Sequence, residues 1–315
     1  MSETPSQSDS ILTEKTFSSY NSEQGRNYAR IRRDYHPSLY QAIMDYHGST
    51  GGRYDIYVDV GCGPGFATFN LASHFAHAFG LDPSEGMIST ARSFGGTTST
   101  SETIRFEIST AEQLGQNLSP PIKDSSVDLI TAANAAHWFN MPRFWISAAR
   151  ALKPSGTVAL WTSGEIIVHP STPNSTAIQK AVYQCQDRFL LPFYETGNLL
   201  TRNRYSELPL PWTLAEPVQE FDEKSFIRKD WDFDEKFFVG ETEVDLDTWE
   251  HMMATSSPYT RWCQANSQLV GTKQDVLKML RKEIEQLLHE AGVELGEEKV
   301  KGTVRGSLLM VKKKA

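Results

Sequence analysis

Hydrophobic and polar residues follow a repeating order along residues 54–162. Short apolar runs, typical of buried strands, alternate with longer segments in which apolar residues recur at helical spacing. The pattern predicts strands at 56–60, 78–81, 104–108, 127–132 and 157–162, and helices at 66–75, 84–93 and 142–152 with a short helix at 111–114. This alternation indicates an α/β fold with a doubly wound, mostly parallel sheet and helices on both faces.

The segment before this core has the spacing of a helix with a break. Tyr20, Tyr28 and Tyr35 recur at roughly helical intervals, Pro37 interrupts the pattern, and arginines lie between the tyrosines. We expect residues 16–50 to form a helical flap whose basic face either points to water or supplies a guanidinium to an anionic substrate. The polar residues 1–15 predict a disordered tail.

Residues 166–315 lose the regular alternation. Helical spacing returns at 178–191, 249–262 and 273–291, while an extended segment is predicted at 218–233 and a strand at 304–311. We expect this part to add the last two strands, of antiparallel type, to a seven-stranded sheet and to insert helical lid elements. The basic tail after residue 311 suits an exposed edge strand. The regular core is therefore assigned to residues 51–165.

Composition argues against several classes of partner. The chain of 315 residues has a formal net charge of −8, which argues against a protein built to bind nucleic acid. No apolar run reaches the roughly 18–20 residues that cross a membrane, and residues 1–10 lack the pattern of a secretion signal. Cys62, Cys185 and Cys263 are too few and too widely spread for a disulfide framework or a zinc site, so the cytoplasm is the expected compartment. We expect a small-molecule partner, no metal, and a monomer or homodimer.

A glycine-rich turn follows the first predicted strand. Gly61, Cys62, Gly63 and Gly65 lie between that strand and a helical segment, which is where doubly wound sheets bind their ligands. The N–H groups and the positive dipole end of the helix would face the ligand. Cys62 is interpreted as a small side chain packed under the turn and not as a nucleophile.

Three residues indicate which ligand the turn binds. A dinucleotide fingerprint needs a third glycine at position 66, where this chain has Phe66. Asp59 places a carboxylate where a pyrophosphate would be repelled and an ammonium attracted. S-adenosylmethionine carries an ammonium and no phosphate, and Asp82 follows the next strand, where it can accept hydrogen bonds from both ribose hydroxyls. These observations favour S-adenosylmethionine over NAD(P), whose use by an oxidoreductase is the alternative.

Five parts of the sequence resemble, in order, the motifs of class I S-adenosylmethionine-dependent methyltransferases: 59–65, Asp82, 109–112, 134–138 and 152–156. The resemblance implies a Rossmann-like core with S-adenosyl-L-methionine as its cofactor. It also implies that Ala111 and Glu112 border the adenine and that the loop at 134–137 faces cofactor and acceptor. The implied cofactor-binding residues are Asp59, Gly61, Cys62, Gly63, Gly65, Asp82, Pro83, Met87, Ala111, Glu112 and Asn134.

A narrower resemblance extends to the flap. Tyr28, Arg32 and residues 35–40, together with the pair His137-Trp138, are similar to fungal trans-aconitate methyltransferase-like proteins. Those enzymes methylate small acids, often at a carboxylate oxygen, so the resemblance implies an anionic small-molecule acceptor. We expect the acceptor to be bound by Tyr20, Tyr28, Arg32, Arg33, Trp138, Trp249 and Trp262.

The acceptor decides which chemistry the chain must supply. A small organic acid or acidic secondary metabolite is ionised at neutral pH and needs no base, so an arginine clamp would be the main contribution. An amine, phenol or acidic carbon would use a base, for which His137 is the candidate, although it could instead shape the pocket. Trp249 and Trp262 could equally be core residues of the lid. A scaffold that binds the cofactor without turnover is the non-enzymatic alternative.

Overall fold

The structure is a computed structural model, and it describes residues 20–315. The expected tail at 1–15 and the first residues of the flap lie outside this range. No helix between residues 20 and 315 combines the length and the apolar character that a bilayer crossing requires.

Ten strands are found in the described part of the chain. They are β1 Ile56–Val60, β2 His77–Asp82, β3 Arg105–Ile108, β4 Val127–Ala133, β5 Leu152–Thr162, β6 Ile166–Val168, β7 Phe221–Asp230, β8 Glu243–Asp245, β9 Lys299–Val304 and β10 Ser307–Lys313. Seven of them form one sheet in the order β3-β2-β1-β4-β5-β10-β7. The first five are parallel, and β10 pairs antiparallel with both of its neighbours. The predicted doubly wound, seven-stranded sheet is confirmed.

Helices cover both faces of this sheet and build the segments outside it. They are α1 Ser22–Ile31, α2 Pro37–Ser49, α3 Phe66–Ala72, α4 Glu85–Phe94, α5 Met141–Ala151, α6 Ser175–Cys185, α7 Thr196–Arg202, α8 Leu246–Met253, α9 Ser257–Ala265 and α10 Val276–Glu290. The predicted helix at 111–114 is wrong. Leu114 and Gly115 both have positive φ, 43° and 73°, which ends any helical turn there and leaves a loop.

The central position of β10 overturns the predicted exposed edge. β10 lies between β5 and β7, and β7 is the edge strand on that side of the sheet. Lys312 is only 5% exposed, and its Nζ donates to the carbonyl of Ser155 at 2.8 Å. Lys313 Nζ donates to the carbonyls of Ala149 and Leu152 at the C-terminal end of α5, where a positive charge is favourable. The lysines are therefore compatible with a central strand because protein carbonyls replace water. Residues 305–306 also divide the predicted strand at 304–311, since β9 ends at Val304.

The insertion between β5 and β10 contains a second, three-stranded sheet that the sequence pattern did not predict. Its order is β6-β9-β8, and both pairings are antiparallel. Apolar residues from this sheet and from α6, α8, α9 and α10 form a separate core, here called the lid core. Its members include Val168, Ile178, Trp249, Trp262, Leu277, Ile284 and Val300.

The N-terminal flap joins the main sheet through two helices. Helix α1 begins with a capping box in which Asn21 accepts from the N–H of Gln24 and Gln24 accepts from the N–H of Asn21. It packs against α4, and α2 buries Leu39 and Ile43 in the core beside the sheet. Between the two helices, Tyr35 forms an isolated bridge with Phe238. This bridge ties the flap to the segment after β7.

Candidate active site

The glycine turn forms the floor of a cavity of about 440 Å³ at the carboxyl ends of β1, β2 and β4. Gly63 has a φ of 53°, and a Cβ built on it would meet no protein atom within 4 Å. Since Gly63 lines the cavity, a side chain at this position would be both strained and placed beside the ligand space. The geometry therefore leaves room for a ligand to approach the main chain, as expected of a nucleotide-derived cofactor.

Asp82 connects the turn to the next strand. Its carboxylate is 8% exposed, and Oδ2 accepts from the N–H of Gly63 at 2.9 Å while Oδ1 accepts from the N–H of Ser84 at 2.9 Å. These two bonds fix the orientation of the side chain, and each carboxylate oxygen can accept more than one hydrogen bond. A ribose with two neighbouring hydroxyls fits this arrangement.

Most of the cofactor-binding residues expected from the sequence converge on this cavity. Those that line it are Gly61, Cys62, Gly63, Asp82, Pro83, Met87, Ala111, Glu112 and Asn134. Gly65 lies just outside it, as the left-handed N-cap of α3 with a φ of 96°.

Asp59 takes a different position from the one expected. It is fully buried beneath the turn, and its two oxygens accept from the hydroxyls of Thr68 and Thr131, both at 2.7 Å. Burial raises the pKa of Asp59 to about 6, against the lowering effect of these two hydrogen bonds. Asp59 is not part of the cavity wall, so contact with the ammonium of a cofactor remains a proposal.

Several cavity residues were not identified from the sequence. Phe139, Asn140 and Arg143 follow the His137-Trp138 pair directly, so extending the post-strand loop to the start of α5 would have included them. Asn140 caps α5, and its N–H donates to Glu112 Oε1 at 2.9 Å. Phe238 could not be predicted as a site residue, because its place at the cavity depends on a bridge to Tyr35, which lies far away in the sequence.

A second cavity of about 280 Å³ adjoins the first and extends under the lid. The residues that line both cavities, here called the junction, are Tyr28, Arg32, Arg33, Asn134, Trp138 and Phe238. His137 and Trp249 line the second cavity alone. Four of the seven expected acceptor-binding residues therefore lie at the junction and a fifth, Trp249, lies beyond it.

Tyr20 and Trp262 line neither cavity. The ring of Tyr20 packs edge-on against Tyr28 with their centroids 6.3 Å apart, so it supports a junction residue from behind. Trp262 is 5% exposed and stacks on Tyr259 at 5.8 Å inside the lid core. The helical spacing correctly predicted that Trp262 is buried. Its side chain packs into the lid core, however, and does not line the acceptor space.

The two arginines of the junction have different surroundings. The guanidinium of Arg32 lies over the ring of Tyr28 at 4.9 Å, and its Nε is buried without a hydrogen-bond partner. Within residues 20–315, Arg32 makes no ion pair. Arg33 donates to the carbonyl of Glu241, and its Nη2 lies 3.7 Å from Met252 Sδ. Burial lowers the pKa of Arg33. Arg32 is thus the cation better placed to meet an anionic ligand.

His137 is partly buried beside the junction. Its Nδ1 lies 2.7 Å from the hydroxyl of Tyr205, and burial together with the charge of Arg32 lowers the pKa of His137 to about 3. The ring is therefore neutral at physiological pH and has little affinity for a proton. This environment suits a residue that shapes the pocket better than one that removes protons.

Comparisons with known proteins agree with the fold and the turn. Residues 58–160 match the family model described as "Methyltransferase domain". A methyltransferase of Dictyostelium discoideum is 31% identical over 50% of this chain and 54% of its own length. An S-adenosylmethionine-dependent methyltransferase of Saccharomyces cerevisiae is 33% identical over 44% of this chain and 45% of its own length. This chain therefore spans about half the length of the curated relatives it matches.

A solved structure extends the likeness over nearly the whole chain. It is described as a type II methyltransferase from Anaeromyxobacter dehalogenans and superposes with a TM-score of 0.56 over 90% of this chain and 97% of that one. Its sequence identity is 20%, so it shows the fold alone. The matched domain removes the NAD(P)-dependent alternative. With the sheet order, the glycine turn and Asp82, it identifies residues 58–160 as a methyltransferase domain with the class I fold, whose cofactor is S-adenosyl-L-methionine.

Proposed function

We propose that this protein is an enzyme that methylates a carboxylate oxygen of a small organic acid. The observation that carries the proposal is the position of Arg32, which lines both cavities and makes no ion pair in the described chain. A partly desolvated guanidinium at the boundary between cofactor and acceptor spaces favours a carboxylate at that point.

The residues of the chain act mainly by binding and alignment. S-adenosylmethionine supplies, when bound, a methyl group on a positively charged sulfur. Asp82 and the turn around Gly63 would hold its ribose and main body, and Arg32 would hold the acceptor carboxylate at the junction. Trp138 and Phe238 line both cavities, so their rings would cover the reacting groups from water. Holding the two partners in line in a dry pocket is the principal source of rate in such a transfer.

The environment of His137 favours a carboxylate over acceptors that need a base. An amine, a phenol or an acidic carbon must lose a proton, and the pKa of His137, lowered to about 3, makes it a poor acceptor for that proton. A carboxylic acid with a pKa of about 4 is already ionised at neutral pH. One relative, a malonyl-[acyl-carrier protein] O-methyltransferase of Dechloromonas aromatica, is 31% identical over 36% of this chain and 38% of its own length. Its name supports transfer to oxygen.

The test compares two arginines of the same segment. The protein is incubated with S-adenosylmethionine and a panel of carboxylic acids, amines and phenols, and methyl esters are detected by mass spectrometry. Arg32→Met should raise KM for the best acid about 10-fold or more, because a charged hydrogen bond contributes roughly 1.5–3 kcal/mol. Arg26→Met, on the exposed part of α1, is the matched control and should leave KM unchanged.

Two outcomes would contradict the proposal. Methylation of amines or phenols with no acid accepted would move the assignment to the alternative acceptors. Binding of the cofactor without transfer to any acceptor would favour the scaffold alternative.

We also propose that the protein works in the cytoplasm as a monomer or homodimer. The free thiols of Cys62, Cys185 and Cys263 support a reducing compartment. Cell fractionation and light scattering after size exclusion test the two parts of this proposal separately.

A further inference from the structure

Two polar side chains of the lid carry buried atoms that lack hydrogen-bond partners in the described chain. Gln186, which is 9% exposed, has an unpartnered Oε1, and Thr201 has an unpartnered Oγ1. Both residues line the second cavity. Buried polar groups are nearly always paired in folded proteins, so two exceptions on one cavity wall indicate a partner that enters from the cavity. Gln186 also opens a π-helical turn, Gln186–Leu190, a local feature that is frequent at functional sites.

The two side chains come from segments that meet at the second cavity. The residues next to them in sequence, Asp187 and Arg202, approach each other with Oδ1 and Nη1 3.6 Å apart. This contact brings the π-helical turn and α7 together. Arg32 lines both cavities, whereas Gln186 and Thr201 line only the second. The second cavity thus has a cationic end at the cofactor and a polar end under the lid.

The charges at the lid end disfavour a second anion. Arg202 Nε lies 3.2 Å from Glu165 Oε1, so the guanidinium of Arg202 is already shared between Glu165 and Asp187. Burial raises the pKa of Glu165, which is consistent with a carboxylate held in a partly desolvated place. A further carboxylate would meet two acids and one arginine. A neutral hydroxyl can instead donate to the carboxamide oxygen and accept from the threonine hydroxyl.

Apart from these polar groups, the second cavity has a mainly apolar lining. It includes Leu190, Val244, Trp249, Met253 and Val304. An aliphatic or otherwise apolar spacer is the chemistry that this stretch accommodates.

We propose that the methyl acceptor is a hydroxy acid, with its carboxylate at Arg32 and its distal hydroxyl at Gln186 and Thr201. This inference rests on the proposed carboxylate methylation and adds the second functional group of the substrate. Gln186 and Thr201 are then specificity-determining residues, remote from the methyl group that is transferred.

The first experiment measures binding without turnover. Isothermal titration of the full chain in the presence of S-adenosylhomocysteine compares chain-length-matched ω-hydroxy acids, unsubstituted alkanoic acids, α,ω-dicarboxylic acids and ω-amino acids. The best hydroxy acid should bind about 10-fold or more tightly than the matched alkanoic acid, since a site built to bond a hydroxyl rejects the analogue that lacks it. The kcat/KM values for the same compounds should follow the same order.

The second experiment removes the two polar groups with nearly unchanged side-chain volume. Gln186→Met and Thr201→Val should each reduce the preference for the hydroxy acid over the matched alkanoic acid several-fold. Gln268→Met, at an exposed position outside both cavities, is the matched control and should preserve the preference. The melting temperature of Gln186→Met should not fall, because the substitution removes a buried carboxamide oxygen that has no hydrogen-bond partner in the described chain.

The outcomes separate this inference from the function on which it rests. If acids bind and are methylated with no preference for the hydroxyl, or with a preference for the dicarboxylic or amino acids, the hydroxy-acid inference is overturned and the proposed function stands. An equal loss for all acids in Gln186→Met, with a lower melting temperature, would assign Gln186 a structural role and also overturn it. If no acid binds and Arg32→Met changes nothing, both proposals fail.

Discussion

At the scale of single residues, the site depends on polar groups whose protonation and orientation are set by burial. Asp82 is oriented by two backbone N–H groups, and His137 is kept neutral by its apolar surroundings and by Arg32. The sequence identified both residues, because Asp82 ends β2 and His137 follows β4 at the ligand side of the sheet. It could not give their protonation, which depends on neighbours far along the chain.

Asp82→Asn tests the assignment of the ribose site. The amide keeps the volume but loses the charge and one acceptor oxygen, so the affinity for S-adenosylmethionine should fall by about 1–3 kcal/mol. Calorimetric titration with the cofactor and with S-adenosylhomocysteine measures the loss. Asp234→Asn, at a side chain that is 94% exposed, serves as the control. An unchanged dissociation constant in Asp82→Asn would remove Asp82 from the site.

His137→Gln distinguishes a base from a residue that shapes the pocket. General bases contribute about 10²–10⁴-fold in rate, so we expect a loss of kcat on an acid acceptor below about 10-fold. The wild-type kcat/KM for the acid should show no titration attributable to His137 near neutral pH, because the pKa of this residue is lowered to about 3. A loss in the range of a base, together with a titration that disappears in the variant, would restore the catalytic role.

At the scale of elements, the flap is held on the sheet by a close approach of two helices. A Cβ on Gly25 of α1 would lie 2.6 Å from the carbonyl oxygen of Gly86 and 2.7 Å from Thr90 Oγ1 on α4. The flap carries Tyr28, Arg32 and Arg33 to the junction. The position of the acceptor clamp therefore depends on the packing between α1 and α4.

Gly25→Ala should displace the flap. The higher helix propensity of alanine would by itself stabilise α1 by up to about 1 kcal/mol. A loss of function in this variant would therefore come from the contact with α4. We expect KM for the acid to rise several-fold while the unfolding midpoint of the core changes little. Asn27→Ala, exposed on the same helix, gains propensity without the contact and should not raise KM. Equal kinetics in the two variants would contradict the packing argument.

Elements with long runs of buried residues were predictable, and those without them were not. β1, β2, β4 and β5 are buried on both faces and therefore appear as apolar runs. The lid sheet escaped prediction because β6 and β8 have only three residues each, too few to show a period. The central place of β10 was concealed by lysines whose charges are satisfied by backbone carbonyls. Such pairing depends on tertiary structure.

At the scale of the whole molecule, the buried side chain of His47 makes the free energy of unfolding depend on pH. His47 is fully buried, with Nδ1 2.7 Å from Thr157 Oγ1 and Nε2 2.8 Å from the carbonyl of Arg53. Burial lowers the pKa of His47 to about 4, below the value of about 6.5 expected in the unfolded chain. Between these values the unfolded state binds the proton and the folded state does not, so acid favours unfolding.

The contribution of His47 to the free energy of unfolding should therefore be complete above about pH 6.5 and be lost toward about pH 4, whereas Asp59, whose pKa is raised to about 6 in the folded state, contributes in the opposite direction. His47 alone accounts for up to about 1.4 kcal/mol per pH unit and about 3 kcal/mol over the window. Urea titrations at about pH 7.5, 6.5 and 5.5 measure the slope, and His47→Gln should reduce it. His74→Gln, at an exposed position, is the control. The same slope in His47→Gln and wild type would show that other groups cause the acid sensitivity.

The pairing of β5 with β10 has a consequence for how the chain is made. β5 has β4 on one side and β10 on the other, and the entire lid is synthesised between β5 and β10. While the ribosome is still translating the lid, β5 presents an open edge to other chains. The family-matched region 58–160 therefore lacks the strand that pairs with the free side of β5. We expect the nascent protein to be prone to aggregation until residues 307–313 have been synthesised.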